Sequence, residues 1–113
     1  MVQTAQRKQH IGLLGGTFDP VHFGHLRVAT EVKEKLQPEE LRLIPAGDPP
    51  LRARTFATAE QRLTMLQLAL SDYPDLLVDD REVRRHGLSY MVDTLSEIRA
   101  EEGDIPLMLI IAD

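Results

Sequence analysis

A run of apolar residues at positions 11–14 (IGLL) gives way to two glycines, a Thr-Phe-Asp-Pro corner, and two histidines three apart at the head of a long amphipathic segment. Few local structures accommodate that order. The apolar run suits a short strand covered on both faces, the glycines a tight turn, and the 3.6-residue periodicity that follows a helix. The opening of the chain is therefore a strand, a loop and a helix start.

The rest of the chain repeats the alternation. A helix over about residues 24–36 turns Leu26, Ala29, Val32 and Leu36 inward and Glu31, Lys33, Glu34 and Lys35 outward, and Pro38 closes it. Residues 41–45 (LRLIP) read as a second strand. Thr58 is placed to cap the next helix with Gln61 completing a capping box, and Leu63, Leu66, Ala69 and Leu70 form its buried stripe, widened by Met65 and Leu68. Tyr73 and Pro74 end that helix, and residues 76–78 form a third strand. The charged run DDREVRR then reads as a solvated surface. Ser89 is predicted to cap the last helix, with Val92, Leu95 and Ile98 on its inner side and Gly103 as a left-handed terminator, before Pro106 opens a final strand, LMLIIAD. The order βαβαβαβ implies an α/β fold, a doubly wound parallel sheet with right-handed crossovers.

In such a sheet, ligands bind beyond the carboxyl ends of the strands, where the strand order reverses. Those ends deliver residues 15–25, then 46–54, then 79–90, and finally Asp113. The first segment suits phosphate: a helix N-terminus offers backbone N–H groups and the positive end of the helix dipole, Gly15, Gly16 and Gly24 are expected to keep side chains out of the way, and His22 and His25 share one helical face. The long Gly/Pro-rich stretch AGDPPLRARTFAT adds Arg52 and Arg54 beside a strand end.

Several chemistries are excluded or disfavoured. The chain of 113 residues is expected to be one domain; it has no cysteine, so it offers neither a thiolate nor a disulfide framework, and its net charge of −5 argues against a nucleic-acid surface. HFGH lacks a third zinc ligand at a usual spacing, GxxxxGK[ST] does not occur, and no Ser-His-Asp arrangement is evident. His10 and His86 read as structural or solvated. The longest apolar run falls well short of the roughly 20 residues of a membrane span, and the polar leader lacks the apolar core of a secretory signal. A cytoplasmic protein with small-molecule partners is expected. Two imidazoles and an arginine around a phosphate cradle fit phosphoryl or nucleotidyl transfer, with charge neutralisation as the protein's main contribution.

GGTFDPVHFGH resembles the signature of the HxGH nucleotidylyltransferase superfamily, and specifically of the bacterial nicotinate mononucleotide adenylyltransferases. The resemblance implies a Rossmann-like fold and transfer of AMP from ATP to nicotinate mononucleotide, with Mg²⁺ accompanying ATP and no covalent intermediate. It implies that the backbone of Gly15, Gly16, Thr17 and Phe18 lies along the nucleotides, that His22 and His25 hold ATP phosphates, and that Arg52, in PPLR where the family has PPHK or PPHR, approaches phosphate. Ser89, Tyr90 and Met91 match the SYTxDTL segment near the nicotinate ring, with Met91 at the threonine position. LMLIIAD resembles the strand that leads into a Gly-x-Asp segment, with Ala112 in place of the glycine and Asp113 one position short of the usual aspartate. Arg62, in EQRLTML, sits where the family often has a basic residue, but reads here as an exposed helix arginine. The resemblance covers about the first half of a typical member, so the chain is expected to be an incomplete nucleotidylyltransferase domain. Alternatives are another HxGH adenylyl- or cytidylyltransferase and a non-catalytic nucleotide-binding fragment; a homo-oligomer is compatible with all of them.

Overall fold

The computed structural model describes residues 10–47, 55–85 and 90–111. Strand β1 (Ile11–Gly16) leads into helix α1 (Phe23–Leu36), strand β2 (Glu40–Pro45) into helix α2 (Ala59–Ala69), and a 3₁₀ turn (Leu70–Asp72) into strand β3 (Leu76–Val78). A short helix α3 (Arg81–Arg84) and a longer α4 (Met91–Glu102) then return the chain to strand β4 (Leu107–Ile111). The four strands are parallel, in the order β3-β2-β1-β4. The chain therefore winds outward from β1 to β3 and crosses back to place β4 on the other side of β1. The reversal lies between β1 and β4, with Gly15 opposite Ile111.

Alternation along the strands builds two cores. Leu14, Leu41 and Leu43 face α1 and α2, where they meet Phe18, Leu26, Ala29, Leu66 and Leu70. Ile11, Leu13 and Ile44 face the other way and meet Ile98 of α4, with Leu95 and Leu107 alongside. This is why β1 reads as continuously apolar: both of its faces are covered. Gly12 fits the same logic, because a Cβ there would lie 2.8 Å from Leu41 Cδ1.

Helix phase corrects several side-chain assignments. On α2 the buried positions are Arg62, Leu66 and, just past the helix, Leu70; Leu68 lies about 200° round from Leu66 and is 68% exposed. On α4 the buried positions are Thr94 and Ile98, so Val92 falls on the outer side and is 67% exposed. Leu36, the last residue of α1, is also exposed, because the chain reverses through Gln37 (φ 48°) and buries Pro38 in its stead.

The termini of the helices divide similarly. Thr58 caps α2 as expected, accepting from Gln61 N–H at 3.1 Å while Gln61 Oε1 accepts from Thr58 N–H at 2.9 Å. The cap position of α4 is Tyr90, not Ser89, and Ser89 lies outside the described residues. Gly103 has positive φ (74°) but ψ of −137°, so it ends α4 without entering the left-handed helical well.

Candidate functional site

The corner after β1 is tied down from three sides. Ala46 N–H donates to Gly16 O at 2.9 Å, joining the ends of β1 and β2. Phe18, at φ 52°, turns its ring fully into the α1/α2 core. Asp19 then reaches across to the entry of α2, where Oδ2 accepts from Phe56 N–H at 2.6 Å and Oδ1 from Ala57 N–H at 3.0 Å.

His22 and His25 do more than share a face. His22 is the N-cap of α1, and its Nδ1 accepts from Gly24 N–H at 3.0 Å. His25 reaches back, its Nδ1 accepting from His22 N–H at 3.1 Å. Two imidazoles thus perform the reciprocal exchange usually made by a hydroxyl and a carboxylate or carboxamide. Their rings stack with centroids 3.9 Å apart, and His25, 5% exposed, sets its ring edge-on to Phe18 at 4.9 Å. An Nδ1 that accepts carries no proton, so the N–H of each ring is on Nε2. The first-turn Gly24 and His25 N–H groups already have intramolecular acceptors, His22 Nδ1 and His22 O respectively. These two donors of the first turn are therefore engaged within the chain.

The glycines also make room for side chains of the chain itself. A Cβ on Gly24 would lie 2.9 Å from His22 Cε1, so the residue makes room for the cap imidazole. A Cβ on Gly15 would lie 2.7 Å from Met91 Cε, so the carboxyl end of β1 accepts the thioether of α4 at the point where strand order reverses. Met91 is half-buried and Tyr90 exposed on this rim.

Arg62 corrects an expectation outright. It is 1% exposed, the largest fully buried side chain among the described residues. Its Nη1 donates to Thr17 O at 2.9 Å and Ala46 O at 2.8 Å, Nη2 to Gly47 O at 3.0 Å, and Nε to Ala57 O at 3.3 Å. One guanidinium thus joins the corner after β1, the end of β2 and the start of α2. Its sequence signal was position: Arg62, Leu66 and Leu70 are four apart, so an arginine stands on the apolar stripe.

The run DDREVRR is likewise built in, rather than solvated. Asp79, beyond β3, receives Arg81 Nε at 2.9 Å and Arg42 Nη1 at 3.2 Å. Burial works against its charge, but the hydrogen bonds and charge of Arg81, with the charge of Arg42, outweigh it and hold the carboxyl below its ordinary value. Arg81 also forks onto Glu101 at 2.9 and 3.1 Å, and that exposed carboxyl is lowered chiefly by the same hydrogen bond. Glu82 is buried and accepts from Thr94 Oγ1 at 2.6 Å, fastening α3 to the first turns of α4.

The structure therefore brings Gly15, Gly16, Thr17, Phe18, His22, Gly24, His25, Tyr90 and Met91 to the strand-end rim. Arg52, Ser89 and Asp113 lie outside the described residues, as do Leu51, Arg54, His86 and Ala112. Among the described residues no group of three or more His, Asp or Glu side chains is placed to hold a metal ion, and no helix is long and apolar enough to cross a membrane.

Residues 13–113 match the cytidylyltransferase-like family. A curated relative from Halorhodospira halophila, described as a probable nicotinate-nucleotide adenylyltransferase, is 57% identical over 89% of this chain and 46% of its own length. One of the same description from Methylococcus capsulatus is 55% identical over 89% of this chain and 49% of its own. The chain spans about half the length of the curated relatives it matches. Among solved structures, Plasmodium falciparum nicotinic acid mononucleotide adenylyltransferase complexed with NaAD superposes with a TM-score of 0.73 at 15% identity, covering 91% of this chain and 50% of that one. The likeness is one of fold, a Rossmann-like parallel sheet.

Proposed function

Because the chain belongs to the cytidylyltransferase-like family, we propose that it forms a nucleotidylyltransferase domain that transfers AMP from ATP to nicotinate mononucleotide, giving nicotinate adenine dinucleotide and pyrophosphate in the cytoplasm. The observation that carries the proposal is the pair of Nδ1-anchored imidazoles at the head of α1, beside the β1/β4 reversal. The curated relatives' descriptions support the choice of acceptor.

In this reaction the mononucleotide phosphate attacks the α-phosphorus of ATP in line, a new P–O bond forms, and the bond to the β-phosphate oxygen breaks as pyrophosphate leaves. The nucleophile is already ionised near neutral pH, so no side chain has to remove a proton. His22 and His25 present Nε2–H donors to phosphate oxygens, and the dipole of α1 reinforces them. Gly16, Thr17 and Phe18 stand at the end of β1 beside the two rings, and by the family resemblance Arg52 would approach phosphate. By the same resemblance Ser89, Tyr90, Met91 and Asp113 would meet the acceptor. The described residues offer no carboxylate cage, and both oxygens of Asp19 already accept backbone N–H groups. Mg²⁺ would accompany ATP and neutralise phosphate charge.

Pyrophosphate release with ATP, Mg²⁺ and a panel of acceptors tests the proposal. Turnover is expected with nicotinate mononucleotide in preference to pantetheine phosphate or to cytidylyl transfer from CTP. Replacing His22 or His25 by Ala is expected to lower the rate by roughly 10²–10³-fold, the usual effect of losing one preorganised donor. ATP binding without turnover on any acceptor would assign the chain nucleotide binding alone.

A further inference from the structure

We propose that Glu82 is a positioning residue for the acceptor: through Thr94 it fixes the roll of α4 that seats Met91 against Gly15, where the strand order reverses. The inference rests on the nucleotidylyl-transfer reading above. Glu82 is 3% exposed, Thr94 is fully buried, and Thr94 Oγ1 lies 2.6 Å from Glu82 Oε2. Thr94 comes three residues after Met91 and four before Ile98, so the three share one face of α4. Both ends of that stripe rest on β1. Ile98 packs with Ile11, Leu13 and Ile44, and a Cβ on Gly15 would lie 2.7 Å from Met91 Cε and 3.8 Å from Ile111 Cδ1. Apolar contacts alone would tolerate some rotation of the helix about its axis, because they are non-directional. The hydrogen bond in the middle of the stripe does not.

The direction of that bond follows from the neighbours of Thr94. Arg85 Nη1, 3.4 Å from Thr94 Oγ1, can only donate, so the hydroxyl accepts there and gives its own proton to Glu82. A carboxylate acceptor makes such a bond short and roughly twice as strong as one between neutral groups. Arg85 is itself held, with Nη2 2.9 Å from Glu97 Oε2 one turn further along α4. Tyr90 is the N-cap residue of α4 and Met91 its first residue, so both turn with the helix. At a side-chain radius of about 5–6 Å, a roll of about 20° would carry Met91 through about 2 Å, and misplacement by about 1 Å can cost roughly 10²-fold in rate. The helix that carries the two histidines packs through Leu26 and Ala29 on the opposite face of the sheet from Ile98. A roll of α4 therefore disturbs the acceptor side and leaves the phosphate donors in place.

The test compares wild type with Thr94→Val, which removes the hydroxyl, and with Thr94→Ser, which keeps it. A double variant, Glu82→Met with Thr94→Val, replaces both partners by apolar groups of similar shape, so that no buried carboxylate is left unpaired. In protein carrying ¹³C-methyl methionine, the nuclear Overhauser contact between the Met91 methyl and the Gly15 α-protons is followed without ligand, and binding of nicotinate mononucleotide and of ATP, each alone, is titrated by calorimetry. Thr94→Val is expected to lose the Met91–Gly15 contact and to bind nicotinate mononucleotide at least tenfold more weakly, with ATP affinity within twofold of wild type. Thr94→Ser is expected to keep the contact and to stay within threefold of wild type for both nucleotides. The double variant is expected to behave as Thr94→Val does, and it decides the matter if the single variant does not fold. A contact that survives in Thr94→Val, an unchanged affinity for nicotinate mononucleotide, or equal losses for both nucleotides overturns this inference alone. Wild type that does not bind nicotinate mononucleotide overturns the proposed acceptor and this inference with it.

Discussion

Because His25 serves both the helix and the cradle, replacing it by Ala and by Gln should separate the two roles. His25→Ala removes the acceptor of His22 N–H, a cap bond worth about 1 kcal/mol. It also removes the edge contact with Phe18 at 4.9 Å, worth roughly 0.5–1.5 kcal/mol. The expected loss is thus about 2 kcal/mol, and at about 4–8 °C per kcal/mol for a domain near this size the melting temperature should fall by roughly 8–16 °C. Glutamine at the third helical position can reach back to the cap N–H as in an ordinary capping box, so His25→Gln should recover about 1 kcal/mol of that loss. Neither variant has an imidazole at position 25, and both should lose pyrophosphate and ATP affinity alike. Thermal unfolding by circular dichroism and titration with pyrophosphate read the two effects. If glutamine is as destabilised as alanine, the ring is not acting as a cap. If glutamine keeps full affinity, the ring is only a cap and the phosphate site lies elsewhere.

Further outcomes follow from the same contacts. Gly15→Ala should cost no more than about 1 kcal/mol, because its Cβ meets only the terminal methyl of the flexible, half-buried Met91, and the double variant with Met91→Ala should be less destabilised than the sum, as urea unfolding would show. Asp79 has its carboxyl depressed in the folded state, so the stability it contributes is present above its ordinary value near 3.8 and is lost as pH falls through the lower folded value. Asp79→Asn should therefore cost roughly 1.5–3 kcal/mol at neutral pH and flatten the acid limb of the stability curve, measured by urea unfolding across that range; an unchanged limb would place the titration on another group. Asp19→Ala should accelerate amide exchange at Phe56 and Ala57 by an order of magnitude or more, while exchange in β1 stays as it was.

Periodicity and spacing determined much of this protein by themselves. Strands appear at the apolar runs, Thr58 and Gln61 cap α2 because a hydroxyl and a carboxamide three apart can exchange backbone bonds, and the alternation of elements implied a parallel sheet. The HxGH histidines were legible as a pair because their spacing puts them on one face of a helix. Tertiary structure alone decided what surrounds them. Whether Gly15 makes room for phosphate or for Met91 depends on where α4 crosses β1, which no local pattern encodes. Arg62 and Glu82 looked like surface charges because hydropathy scores a residue in isolation, yet each is buried among distant partners, 15–45 residues away on the two loops for Arg62 and 12 residues away on α4 for Glu82. A charged side chain can enter a core only when folding brings it hydrogen-bonding partners, and those partners come from segments that meet only in three dimensions.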